Sequence, residues 1–298
     1  MARKIRRKGG RSVASQSPYS DDVIKSSRPD TRPALIALFL VILLIGSALY
    51  FTSMVDDSVP VIYGVKAELL TNDHAVQPGF STDFVLVVTN MGSISDNFEI
   101  KVKSNDGGFD INIEEGFSTV KLEKNARLPL IINVKTSSAS SGLLYAKLEV
   151  RSKGDLNENS EIRLNINANS EFGNQTYRGD LVSVEYAGIL ARNANLFDSS
   201  MGDVWENYPH LKSGVSTRAD SGNLQAANIG CDGKGIPTEE CNGSRQMIPG
   251  FDAKMVGMYE GQSLAVRIPA RDAYGEDPSG HDLGGEDLIF AILMVSID

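Results

Sequence analysis

The sequence predicts a multidomain chain with one transmembrane helix near the N-terminus, then an all-β sandwich, then an α+β domain in which an antiparallel sheet wraps around a short helix. Three observations carry this reading. An uncharged apolar run separates a basic tip from an acidic body, period-two apolar runs fill the middle of the chain, and similar strands flank one helical stretch toward the C-terminus.

Of 298 residues, 29 are Lys or Arg and 38 are Asp or Glu, a net charge of −9. Residues 1–33 carry nine basic and three acidic side chains, 34–55 carry none, and 56–298 carry 20 and 35. That partition argues against an ordinary one-compartment protein, and the acidic body argues against a nucleic-acid binder. A hydrophobic content of 41% with 28 Gly and 11 Pro is globular, and the length allows about two domains.

From Ala34 to Phe51 the chain reads ALIALFLVILLIGSALYF, and no charge appears until Asp56. At about 1.5 Å per residue, some 20 residues reach across a hydrocarbon core of about 30 Å, so 34–55 is expected to span a membrane. A cleaved signal peptide is the rival; its apolar run is typically about 7–15 residues after a short basic start, whereas this one follows 33 residues. The basic residues before the span, against Asp56 and Asp57 after it, place the N-terminus in the cytoplasm. The expectation is a single-pass cell-membrane protein with an extracytoplasmic body and a disordered basic tail over 1–33.

The chain has two cysteines, Cys231 and Cys241, in the polar stretch CDGKGIPTEEC. A disulfide pinning a surface loop is the expected role. Metal binding is the alternative, but no paired Cys or His stands nearby. Asn174 and Asn242 begin glycosylation tripeptides.

Over about residues 58–169 apolar residues alternate in short runs: Phe84, Leu86, Val88; Phe98, Ile100, Val102; Leu128, Leu130, Ile132; Leu144, Ala146, Leu148, Val150; Ile162, Leu164, Ile166. Turn signals such as Pro78-Gly79 and Ser141-Gly142 separate them. Some seven or eight half-buried strands in this length fit an immunoglobulin-like sandwich. The run QPGFSTDFVLVVTNMGSISDNFEIKV resembles the adhesion-type immunoglobulin-like modules of prokaryotic surface proteins. His74 is read as a solvated loop residue.

Residues 177–298 hold DLVSVEYAGIL, NLFDSS, MIPGFDAKMVGMYEGQSLAVRIPARDAYGE and EDLIFAILMVSID. Val182 and Val184 alternate with Ser183 and Glu185 as in a strand, and Phe251, Met255 and Met258 form the apolar face of a short helix opened by Pro249-Gly250. In this order the elements resemble the FKBP-type peptidyl-prolyl cis/trans isomerases.

The resemblance implies an enzyme that needs no cofactor or metal. It places Tyr186, Phe197, Phe251, Tyr274 and Phe290 around a prolyl pocket, with Asp198 orienting it. The Ile248 backbone N–H and the Tyr274 hydroxyl would bond substrate carbonyls, with Met247 at the rim and His281 and Leu283 as flap contacts to substrate. Phe251 stands where the family usually has Trp. Between Asp198 and Met247 an insert at about 201–245 enlarges the domain and holds both cysteines. A further pocket aromatic has no clear counterpart, leaving Trp205, Tyr208 and Leu224 as candidates.

Slow X-Pro rotation limits folding, so the expected partners are unfolded or newly exported polypeptides, with no nucleic acid. The alternatives are a non-catalytic chaperone or binding module for Pro-containing segments, and a surface adhesion or structural protein.

Overall fold

A computed structural model describes residues 36–45, 47, 60–106, 108–169, 171–209, 222–231 and 247–298. The chain divides into two compact units, 1–59 and 60–298. In the first, residues 36–45 form an exposed helix, α1. Among the described residues no helix is long and apolar enough to cross a membrane, which overturns the expected transmembrane element. The rest of the expected span and the basic tail lie outside the described residues.

The second unit is mostly β, with few and short helices. Nine strands build its first lobe: β1 (Val65–Leu69), β2 (Asp73–Ala75), β3 (Ser81–Asn90), β4 (Asp96–Asn105), β5 (Asp110–Ile113), β6 (Thr119–Leu122), β7 (Arg127–Lys135), β8 (Leu143–Ser152) and β9 (Asn159–Asn167). They form two sheets, β1-β3-β7-β5 and β2-β9-β8-β4-β6, sharing a core of residues such as Phe84, Leu86, Phe98, Leu130, Leu148 and Leu164. All pairings are antiparallel except β2 with β9.

The second lobe contains β10 (Val182–Leu190), β11 (Leu196–Ser199), α2 (Gly202–Asn207), β12 (Leu224–Ala226), α3 (Pro249–Met255), β13 (Ser263–Ile268) and β14 (Leu288–Ile297). Its antiparallel sheet runs β11-β10-β14-β13, with β12 beside the first half of β10. Pro249 starts α3, where a missing N–H costs nothing, and Phe251 and Met255 turn inward. The α+β expectation overstated the helix: α2 has six residues and α3 seven.

The lobes share an interior. Every β3 residue after Ser81 is buried. Its even-numbered Phe84, Leu86 and Val88 face the sandwich core, while Val85 and Val87 pack with Leu70, Ala187, Ile189, Ala265, Ile289 and Ala291. Alternation gives a strand two apolar faces when both are covered. The outer edge of β13 is capped by first-lobe side chains. Thr82 donates its hydroxyl to the Ser263 carbonyl (3.0 Å), and the Ala265 N–H donates to Asp83 Oδ2 (2.9 Å). Arg267 forks onto Glu114 through Nε (2.6 Å) and Nη2 (3.0 Å) and also reaches the Pro129 carbonyl (3.1 Å). The connector is pinned as well, since Phe172 lies against Phe80 and Tyr259.

His74 is not solvated; it is 5% exposed and stacks on Phe84 at 4.0 Å. Because Thr82 gives its proton to Ser263, its oxygen accepts the His74 Nδ1 proton (2.8 Å), and Nε2 accepts the Thr71 hydroxyl (2.7 Å). Burial lowers the His74 pKa from 6.5 to about 4, against the opposing pull of Asp73.

Two outcomes follow. Asp83→Ala removes the acceptor of the buried Ala265 N–H and of the Asn133 amide; chemical denaturation should show a loss of about 1–3 kcal/mol. The neutral, buried His74 contributes stability fully above about pH 6.5, lost progressively as pH falls toward 4, up to about 3 kcal/mol. Stability measured across that window should be flatter in His74→Phe than in the unmodified protein.

Candidate active site

One cavity of about 550 Å³ opens on the face of the second sheet turned away from the first lobe. Its walls include Tyr186 from β10, Phe197 and Asp198 from β11, Phe251 from α3 and Phe290 from β14. The rings are mutually packed: Phe251 and Phe290 are 4.8 Å apart, Phe197 meets Phe290 edge-on at 5.4 Å, and Tyr186 meets Phe251 edge-on at 5.7 Å. These four are nearly buried, so the base of the chamber is apolar.

Gly188 explains how two phenyl groups reach one strand. A Cβ there would stand 2.6 Å from the Phe197 ring and 2.8 Å from Phe290. Gly250 plays a like part, since a Cβ would come within 2.4 Å of Ile268 and would keep α3 off β13.

Polar groups sit at defined places. The Tyr186 hydroxyl donates to Asp198 Oδ2 at 2.6 Å, fixing ring and carboxylate together. Ile248 caps α3 with its carbonyl, which accepts from Phe251 and Asp252 (both 3.1 Å). Its own N–H finds no acceptor among the described residues and borders the cavity. Tyr274 lines the mouth and is 36% exposed.

The structure therefore brings together Tyr186, Phe197, Asp198, Met247, Ile248, Phe251, Tyr274 and Phe290. It leaves two expected contacts outside the lining. His281 lies flat on Tyr274, with ring centroids 4.1 Å apart and planes 2° apart, and its Nδ1 accepts the Leu283 N–H at 3.0 Å. Leu283 is 8% exposed and belongs to the core under the flap, so it is packing rather than a substrate contact. The flap is self-bonded: Ser279 gives its hydroxyl (2.7 Å) and N–H (2.8 Å) to Asp277, holding that carboxyl below its ordinary range.

Of the three candidates for the missing aromatic, Leu224 lines the cavity, whereas Trp205 and Tyr208 pack at the interface between the lobes. Sequence reasoning did not assign Gln225, Ala226, Ala227, Pro249 or Ala273, which also line it. The short alternation Leu-Gln-Ala within the insert was the available signal. Cys231 is 1% exposed and is not a free thiol, while Cys241 falls outside the described residues. Among the described residues no group of three His, Cys, Asp or Glu is placed to hold a metal.

Residues 221–295 match the family model of FKBP-type peptidyl-prolyl cis-trans isomerase. An FKBP-type domain stands at the C-terminal end of the chain. FK506-binding protein 2 of Kluyveromyces lactis is 27% identical over 121 residues, 40% of this chain and 64% of that protein. The protein of the same name from Aspergillus fumigatus is 29% identical over 128 residues, 43% of this chain and 72% of its own. Peptidyl-prolyl cis-trans isomerase FKBP15-1 of Arabidopsis thaliana is 26% identical over 125 residues, 42% and 61% of the two chains. The chain thus spans a little under two thirds of the length of the first and third of these relatives.

Gly188→Ala should displace Phe197 or Phe290 and narrow the cavity. The expected result is a stability loss of about 1–3 kcal/mol, read by thermal melting.

Proposed function

We propose that this chain catalyses cis/trans isomerisation of X-Pro bonds in polypeptides, using the aromatic cavity as its active site. The observation that carries the reading is the joining of four packed aromatic walls with a backbone donor at Ile248 that has no acceptor among the described residues and a phenol at the mouth. Rotation about an amide has a barrier of about 18–20 kcal/mol because it breaks resonance. A planar amide is more polar than a twisted one, so moving it from water into an apolar chamber disfavours the ground state relative to the transition state. The proline ring would occupy the space between Tyr186, Phe251 and Phe290. Ile248 N–H and Tyr274 hydroxyl would bond carbonyls on the two sides of the rotating bond and hold the peptide still while it twists. Asp198 orients Tyr186 and takes no proton, since the reaction transfers none.

The setting we assign is extracytoplasmic, with unfolded or newly exported chains as substrates and a Cys231–Cys241 disulfide bracing the insert. Burial of Cys231 and the lack of a free thiol among the described residues support it. The first lobe fits an immunoglobulin-like sandwich. What supports this is that its sheets, β1-β3-β7-β5 and β2-β9-β8-β4-β6, contain the neighbour orders of the ABED and GFC sheets of such domains, with β2 and β6 added at the edges of the second.

Protease-coupled isomerisation of a short Pro peptide by the full chain tests the reading. Tyr274→Phe should lower kcat/KM by about three- to tenfold, the worth of one hydrogen bond, and Phe251→Ala and Asp198→Ala by about tenfold or more. An unmodified chain with no rate above background would overturn it.

A further inference from the structure

One wall of the cavity comes from β12. Strand β12 pairs with β10 through Val182↔Ala226, Ser183↔Gln225 and Val184↔Leu224, and residues 224–227 all line the cavity. In an antiparallel ladder, successive residues direct their N–H and C=O to opposite edges of the strand. Two bonds fix the phase along β10. The Asp298 N–H bonds the Leu181 carbonyl on the β14 side, and the Ser200 N–H bonds the Tyr186 carbonyl on the β11 side. The register shift near Ser183 adds Val295 to β14 and leaves the alternation of β10 intact. Val182, Val184 and Tyr186 therefore turn their backbone groups toward the edge that holds β11 and β12.

Val182–Ala226 and Val184–Leu224 are then the hydrogen-bonded pairs, and Ser183–Gln225 is not. Gln225 consequently points both its N–H and its C=O away from β10. Among the described residues no strand lies on that side, and Gln225 is exposed. An N–H and a C=O thus present themselves side by side on a strand edge that no described residue pairs with and that is continuous with the apolar cavity.

We infer that this edge docks the extended stretch of substrate flanking the proline, one residue of which forms an antiparallel pair with Gln225. The inference rests on the isomerase reading of the cavity. Proline has no N–H to offer and its ring fills an apolar space, so its flanks must supply the orientation. Backbone pairing does so without reading side chains, which suits a site that takes many unfolded sequences.

The test changes backbone atoms on each side. Gln225→Pro deletes the outward N–H and breaks no ladder bond, because that N–H faces away from β10; proline is tolerated at such edge positions. Gln225→Ala keeps the N–H and serves as its reference. The probe is a blocked heptapeptide with central proline, together with its singly N-methylated analogues. The KM for isomerisation and the Kd from fluorescence anisotropy are measured for each.

Gln225→Pro should have a KM and Kd about three- to tenfold above those of Gln225→Ala, with little change in kcat, and one N-methylated position should weaken binding to the unmodified chain by a similar factor. Equal constants for the two variants would overturn the inference. If Gln225→Pro does not fold, the analogues decide alone, and the absence of any sensitive position overturns it. Reading both constants separates the two claims. The expected binding pattern without turnover would keep the docking edge and remove the isomerase reading; turnover without the pattern would do the reverse.

Discussion

Asp83 divides its carboxylate between two sheets, one oxygen taking the Asn133 amide (2.6 Å) inside the sandwich and the other the Ala265 N–H (2.9 Å) on the edge of β13. A carboxylate only 7% exposed is costly to bury unless both oxygens are bonded, and here each is. Placement then passes along the chain of contacts. With β13 held, Ile268 presents the surface on which Gly250 rests, Gly250 sets the start of α3, and α3 delivers Ile248 and Phe251 to the cavity. The open edge of β13 is also denied to other chains, because Thr82, Asp83 and Arg267 tie it to the first lobe.

Much of this architecture was legible in the sequence because it rests on local periodicity. The alternating runs in β4, β8 and β9 became strands with the expected residues inward, except Val102, which is 41% exposed where the β4–β8 register shifts. What escaped was the second face of β3. Its apolar run FVLVV was read only at Phe84, Leu86 and Val88, although the intervening Val85 and Val87 are equally apolar and equally buried. A continuous apolar run means cover on both sides, and that cover is the small-residue back of the other sheet, Ala187, Ala265 and Ala291. His74 was misread for a related reason: its partners Thr82 and Phe84 come from the next strand and have no short-range signature. The apolar stretch 34–55 was weighed by its length, apolar content and flanking charge, and among the described residues no helix is long and apolar enough for the role given to it.

The cavity was more readable than the fold around it. Its aromatics stand in ordered motifs, and Gly188, two residues after Tyr186 in DLVSVEYAGIL, is the gap into which Phe197 and Phe290 fit. The insert was not readable at this level. Whether Trp205, Tyr208 or Leu224 reached the cavity depended on where α2 docks, and α2 docks through Val204 on the first lobe. The flap residues show the same limit, since sequence order cannot distinguish a leucine that faces substrate from one that lies beneath the flap, as Leu283 does.

The doubly covered strand β3 has a consequence for how such a protein descends. Composition invites a cut near residues 170–176, between a sandwich and a cavity-bearing lobe that look like separable modules. A recombination event there would strip a wall from both parts, exposing Val85 and Val87 on one product and Ile289 and Ala291 on the other. The two lobes are therefore expected to be inherited as a pair, and substitutions on the odd positions of β3 to be matched by changes on the back of β14 rather than within the sandwich.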